Sequence, residues 1–205
     1  MDLSALISHK KNMLPFAAEL TGDDIIKLTA LLNEKNNALR YPAFLALQAR
    51  SRIKDDVYPY FDDFVKRLSD KNSFQRNIGL NLVAENVRWD KENRFLSVYD
   101  EYMSHCTDEK FVTCRQAIGG ISHFLPYLQK LWADTARRLM AIDLSLFRES
   151  QKKLILIDIL NILLQIRRGA NIEGVDDYIL WALDGGLLDR KTKKGVEARF
   201  CTPSP

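Results

Sequence analysis

The chain has 205 residues, 46% hydrophobic and 28% charged, which is ordinary globular usage. Thirty basic residues against 27 acidic ones leave a net charge of +3, without the clear basic excess usual in proteins that live on nucleic acid. A chain of this size buries roughly 70% of its unfolded surface, and nine glycines with six prolines leave long stretches free of turn punctuation, which favours helix.

The opening segment, MDLSALISHKKNMLPFAAEL, has an acid at position 2 and no basic stretch followed by an apolar run, so it does not read as a secretory leader. Helical spacing dominates the rest of the chain. In YFDDFVKRL, Phe61, Phe64, Val65 and Leu68 fall on one helix face, with Pro59 where a first-turn proline is expected. In NRFLSVYDEYM, Phe95, Val98, Tyr99 and Tyr102 repeat that spacing, and Asp90 stands upstream as a cap. In YLQKLWADTARRLM, Leu128, Leu131, Trp132 and Leu139 line another face. The most apolar window, LILIDILNILLQI at 154–166, is too short to cross a bilayer and is interrupted by Asp158, Asn161 and Gln165. No segment alternates apolar and polar residues, so no strand is expected.

The helices come in pairs and the pairs repeat. NALRYPAFLAL at 37–47, SFQRNIGLNLV at 73–83 and VTCRQAIGGIS at 112–122 align on Arg40, Arg76 and Arg115, spaced by 36 and then 39 residues. A polar turn precedes each: NEKN, SDKN and TDEK. Ala43, Gly79, Gly119 and Gly120 follow, where two helix axes are expected to come close. A fourth pair, 125–140 and 151–166, keeps the pattern but has Lys152 and Lys153 where the arginine would fall. A period of this length with two helices per unit predicts an α-solenoid, a right-handed superhelix of about four stacked pairs over residues 1–170. A capping helix is expected at 171–188, ending at Gly185 and Gly186, and a mobile basic tail at 189–205.

The recurrent arginine has a physical reading. A helix-opening turn presents unpaired N–H groups and favours an acid, and an arginine fork can bridge such turns. The expected structural ladder is Asp70 with Arg76 and Asp108 with Arg115, with Arg40 as the first rung.

Tyr58 to Phe61, Arg76, Trp89 with Asp90, Asp108 to Lys110, and Arg115 with Gln116 together resemble a family of small HEAT-like proteins of Firmicutes. The resemblance covers about residues 25–166. It implies a curved all-helical solenoid with no established activity. Some members carry a label taken from iron–sulfur assembly proteins, whose β-helical core has no counterpart in this helical pattern.

Few residues suggest chemistry. His105, Cys106, Cys114 and His123 lack the paired spacing of a zinc site, and three cysteines at unrelated positions argue against a disulfide framework and for a reducing compartment. Trp89 beside Asp90, and Trp132 near Asp134, suggest stacking on a base with an acid alongside, as in helical-repeat alkylpurine DNA glycosylases; the plainer reading makes both indoles core or staple residues. Asp158, Asn161 and Gln165 share one stripe, read either as the solvated side of a buried helix or as a partner-contacting face. No phosphate loop, nucleophile–base pair or paired metal carboxylates can be found.

These features predict a cytoplasmic, non-catalytic scaffold without metal or cofactor that holds a protein partner on its concave face. The rival is a DNA-binding or base-excising protein. A third option is a homodimer formed through an exposed end of the stack.

Overall fold

The computed structural model describes residues 6–7 and 12–201. Among these it contains α-helices, 3-10 turns and loops, with no strand. The helices are α1 (Leu14–Ala18), α2 (Gly22–Leu31), α3 (Asn37–Ser51), α4 (Phe61–Lys66), α5 (Ser73–Asn86), α6 (Phe95–Ser104), α7 (Phe111–Phe124), α8 (Trp132–Met140), α9 (Glu149–Arg167), α10 (Val175–Asp184) and α11 (Arg190–Phe200). The chain forms two compact units that divide between Glu101 and Tyr102, inside α6. No linker composition marks this point, because a continuous helix crosses it.

In the N-terminal unit, α3 packs against α1 and α2, α5 packs against α4, and α3 and α5 lie side by side. Phe61, Phe64 and Leu68 are buried, as their spacing predicts. Pro59 does not open α4. It lies within a 3-10 turn, Asp55–Tyr60, two residues ahead of it.

Helices α3 and α5 begin alike. Asn36 Oδ1 accepts from the Ala38 N–H at 2.9 Å, and Asn72 Oδ1 accepts from the Phe74 N–H at 3.0 Å. Each caps its helix, and each is followed four positions later by an arginine reaching back over the turn. Arg40 Nη1 donates to the Glu34 carbonyl at 3.1 Å, and Arg76 Nη1 donates to the Asp70 carbonyl at 2.9 Å. These carbonyls end the preceding turn, where main-chain acceptors lack helical partners.

This corrects the expected ladder. The Asp70 carboxylate does not pair with Arg76; it accepts from the Asn72 N–H at 2.7 Å and so closes the turn. Asp108 does the same to the Lys110 N–H at 2.8 Å, and also meets His105 Nδ1 at 3.1 Å. Arg115 does not pair with Asp108. Because α7 begins at Phe111, its fourth position is Cys114 and Arg115 is the fifth. One residue rotates a side chain by about 100°, which aims Arg115 away from the turn and at Asp158 of α9. Cys114, at the position equivalent to Arg76, donates Sγ to the Cys106 carbonyl at 2.8 Å, and burial pushes its thiol up to about 12.

Small residues act where predicted at Gly79, where an added Cβ would lie 2.8 Å from the Phe64 carbonyl and 2.9 Å from Arg67 Cβ. Both are near-rigid parts of α4 and the turn after it. Gly79→Ala is therefore expected to lower stability by about 1–3 kcal/mol through overpacking, read as a fall in the urea midpoint. An unchanged midpoint would show that α4 and α5 separate without cost. Gly119 has open space around it, contrary to the expected close approach.

In the C-terminal unit α9 is central, packing on α7, α8, α10 and α11. Its near-continuous apolar run buries Ile155, Leu156, Ile159, Leu160, Ile162, Leu163, Leu164 and Ile166. Helix α10 occupies the segment read as a cap, and Gly186 beyond it takes φ +76°. That is the left-handed conformation which ends a helix and suits glycine.

The expected mobile tail is instead helix α11, at least through Phe200. Asp189 opens it, accepting from the Thr192 N–H at 2.8 Å. Lys153 pairs with Asp189 and holds its carboxyl well below the usual range. Val196 is buried, and Arg167 sits 4.4 Å from the centre of the Phe200 ring. Val196 and Phe200, four residues apart, are the helix's only large apolar residues. That is too sparse a pattern to register as periodicity.

Candidate functional site: a polar groove beside helix α9

The polar stripe of α9 is half-buried. Asp158, Asn161 and Gln165 line a groove of about 560 Å³ together with Gly119 and Ser122 of α7, Arg168 just beyond α9, and Arg199 of α11. The stripe arises from helix geometry. With the other sides of α9 covered by apolar contacts, polar residues at i, i+3 and i+7 gather on the remaining one.

The groove's one acid is neutralised. Arg115 Nε and Nη2 donate to the two oxygens of Asp158 at 2.5 and 3.0 Å. That hydrogen bonding raises the guanidinium above its ordinary value. Arg115 also lies over the Phe111 ring at 5.9 Å, which fixes its direction.

Arg199 Nη1 donates to Asn161 Oδ1 at 2.8 Å and its Nε to the Gly195 carbonyl at 3.2 Å. Gln165 Nε2 donates to the Asn161 carbonyl at 3.2 Å, and Ser122 Oγ to the Gly119 carbonyl at 2.7 Å. These contacts leave Asn161 Nδ2, Arg199 Nη2 and Gln165 Oε1 without a partner among the described residues. Arg168 is exposed, and its side chain makes no hydrogen bond or ion pair among the described residues. The groove is thus rich in unused donors and has no aromatic wall. It can bind by hydrogen bonds and charge, and it contains no nucleophile beside a base.

The other predicted site residues serve the scaffold. Trp89 Nε1 donates to the Ser51 carbonyl at 2.7 Å, closing the C-terminus of α3. Asp90 accepts from the N–H groups of Arg94 at 2.9 Å and Phe95 at 2.8 Å, capping α6 as predicted. It also accepts from the Tyr58 hydroxyl at 2.7 Å. Burial, reinforced by that bond, pushes the Tyr58 phenol up to about 12. Trp132 Nε1 donates to the Leu125 carbonyl at 2.8 Å, and its ring lies where a side chain on Gly169 would be. Asp134 pairs with Arg137 and Arg138 on its own helix. Cys106, Cys114 and Cys201 are free thiols. No group of metal-ligating side chains is found among the described residues.

A second groove, of about 440 Å³, lies in the N-terminal unit between Asn33, Tyr60, Asp63, Lys66, Arg67 and Asp70. Its charges balance. Lys66 pairs with Asp63 at 2.9 Å, and Arg67 donates to Gln75 and to Asn33, the latter at 2.8 Å.

Sequence reasoning found the α9 stripe but missed Ser122, Arg168 and Arg199. Arg168 comes one residue after α9 and could have been placed by extending the helix. Arg199 could not, because its helix went unrecognised. No helix among the described residues is long and apolar enough to cross a membrane. No protein-family model, curated protein or solved structure matches the chain.

Proposed function

We propose that the chain is a non-catalytic scaffold, a HEAT-like α-solenoid that holds a protein partner along the face carrying the α9 stripe. The observation that carries this reading is the groove itself. A polar stripe on the otherwise apolar helix α9 opens onto a lined channel whose hydrogen-bonding groups are only partly used within the protein. Support for stacked repeats comes from α3 lying against α5 and α7 against α9, in each case the second helices of consecutive pairs. The matching turns before α3 and α5 support it too. Such stacking buries faces that no single pair could cover.

The DNA-directed alternative needs an indole free to stack beside an available acid. In the two pairs singled out for that role, Trp89 and Trp132 both hold helix-end carbonyls, and Asp90 and Asp134 hold N–H groups and arginines; the third tryptophan, Trp181, is 53% exposed and packs on Tyr178. The scaffold reading is therefore preferred.

The test is site-specific photocrosslinking in cells, with a photoreactive residue at Ser122 on the groove and another at Leu146, which is 73% exposed. Discrete protein adducts from position 122 alone are expected. Equal labelling from both positions, or none from 122, would end the proposal.

A further inference from the structure

We propose that the α9 groove takes an extended acidic segment of a partner protein, Arg168 and Arg199 holding its carboxylates while Asn161 and Gln165 hold its main chain. This rests on reading the groove as the docking face and names the chemistry of what docks there.

Donors outnumber acceptors among the groove's unused groups. Arg168 offers its whole fork and Arg199 offers Nη2, and neither has an acid partner among the described residues. The one carboxylate in the wall, Asp158, is held through both oxygens by Arg115 and so does not neutralise them. A ligand that satisfies the groove must be acceptor-rich and anionic, and forked donors match carboxylates in a bidentate geometry.

The amides add a second requirement. Asn161 and Gln165 stand four residues apart, so their Cβ atoms are roughly 5–6 Å from one another on the helix surface. One presents a free N–H donor and the other a free carbonyl acceptor, the complement of a peptide group's C=O and N–H. An extended chain advances about 3.3 Å per residue, so the pair spans roughly two residues, and side chains two apart point the same way. Acidic residues at alternate positions would then face the same wall.

Nucleic acid shares the anionic character but fits less well. The lining contains no aromatic ring on which a base could stack, and it presents two unpaired cations rather than a track of them.

The full chain is to be titrated, by fluorescence anisotropy, into a labelled decapeptide of alternating glutamate and serine. A lysine–serine decapeptide and a single-stranded decanucleotide serve as comparisons. The glutamate peptide is expected to bind, to weaken as salt rises, and to lose about fivefold in affinity with Arg168→Gln. The Arg168 side chain makes no hydrogen bond or ion pair among the described residues, so that variant tests the ligand without disturbing the fold. Asn161→Ala and Gln165→Ala are expected to weaken binding at unchanged helical content. Equal binding of the lysine peptide, tighter binding of the oligonucleotide, or indifference to Arg168→Gln would each overturn the assignment. If the glutamate peptide fails while crosslinks still form at position 122, the ligand class is wrong and the docking face stands. If those crosslinks are absent too, the docking face falls with it.

Discussion

Arg50→Ala is expected to cost about 3–5 kcal/mol of stability, the range for removing one partner of a buried ion pair. The arginine is 4% exposed near the end of α3. Its Nε lies 3.0 and 3.2 Å from the two oxygens of Asp56, and its Nη2 lies 2.7 Å from one of them. Its Nη1 donates to the carbonyls of Ala17 at 2.8 Å and Ala18 at 3.0 Å, which end α1. Alanine would leave the partly exposed Asp56 with the more distant Lys54 at 3.5 Å, free two helix-end carbonyls at once, and leave a gap where the long stem was. Arg50→Lys keeps the charge but cannot serve three acceptors with a planar fork, so it should recover only part of the loss. Urea unfolding followed by helical circular dichroism measures both. A cost under about 1 kcal/mol for the alanine variant would mean that water satisfies the freed groups.

The same pair sets a pH dependence. Hydrogen bonding to Arg50 lowers the Asp56 carboxyl below its ordinary value of 3.8. The folded state therefore binds this proton less readily than the unfolded chain. The resulting stability is fully present above the ordinary aspartate range and is lost as pH falls through the lower folded value. Comparing the native chain with Asp56→Asn, the stability difference should be widest above about pH 5 and shrink in more acid solution. A difference that stayed constant down to strongly acid pH would exclude Asp56 as its source.

Glu85 provides the second large effect. Its side chain has 0% exposure and pairs with Arg52 at 2.7 Å and Arg88 at 3.1 Å, themselves 42% and 21% exposed. The asymmetry decides which change hurts more. Replacing both arginines by alanine strips two cations from a dry carboxylate and should cost about 3–5 kcal/mol. Glu85→Gln leaves the arginines wet and keeps a hydrogen-bonding side chain, so about 1–3 kcal/mol is expected. The triple variant should be more stable than the double arginine variant, because the buried charge has gone. The reverse order would show that the arginines act through packing alone. Arg88 also donates to the Arg52 carbonyl at 3.1 Å, so this cluster joins α3 to the end of α5.

Legibility in the sequence depends on the range of the interaction. The buried faces of α4 and α9, the absence of strands among the described residues and the cap at Asp90 are set by spacing and residue type over a few neighbouring positions. The recurrent turns before α3 and α5 were legible for the same reason, since an asparagine cap and an arginine four residues on recur in each. The third arginine was misread because alignment by letters matched Arg115 to Arg76, whereas alignment by helix start matches it one position later. A single-residue offset costs nothing in sequence similarity, yet it redirects the side chain from a turn to a different helix.

The groove divides along the same line. Asp158, Asn161 and Gln165 stand out as polar residues in an apolar window, and that much is written in a nineteen-residue helix. Arg199 reaches Asn161 only because α11 folds back across 38 positions of chain. The ordering of α11 depends on Lys153, Arg167 and α9, none of which lies in its own segment.

From sequence alone came the all-helical class, the buried faces of single helices and the stripe on α9, because helix formation and amphipathic burial are governed by residues within a turn or two of each other. Only the tertiary structure decided that Arg115 binds Asp158, that Glu85 is enclosed between two arginines, and that Arg168 and Arg199 border the same groove. Those outcomes depend on where helices distant in sequence come to rest, and the rotation of each about its own axis sets which side chains meet.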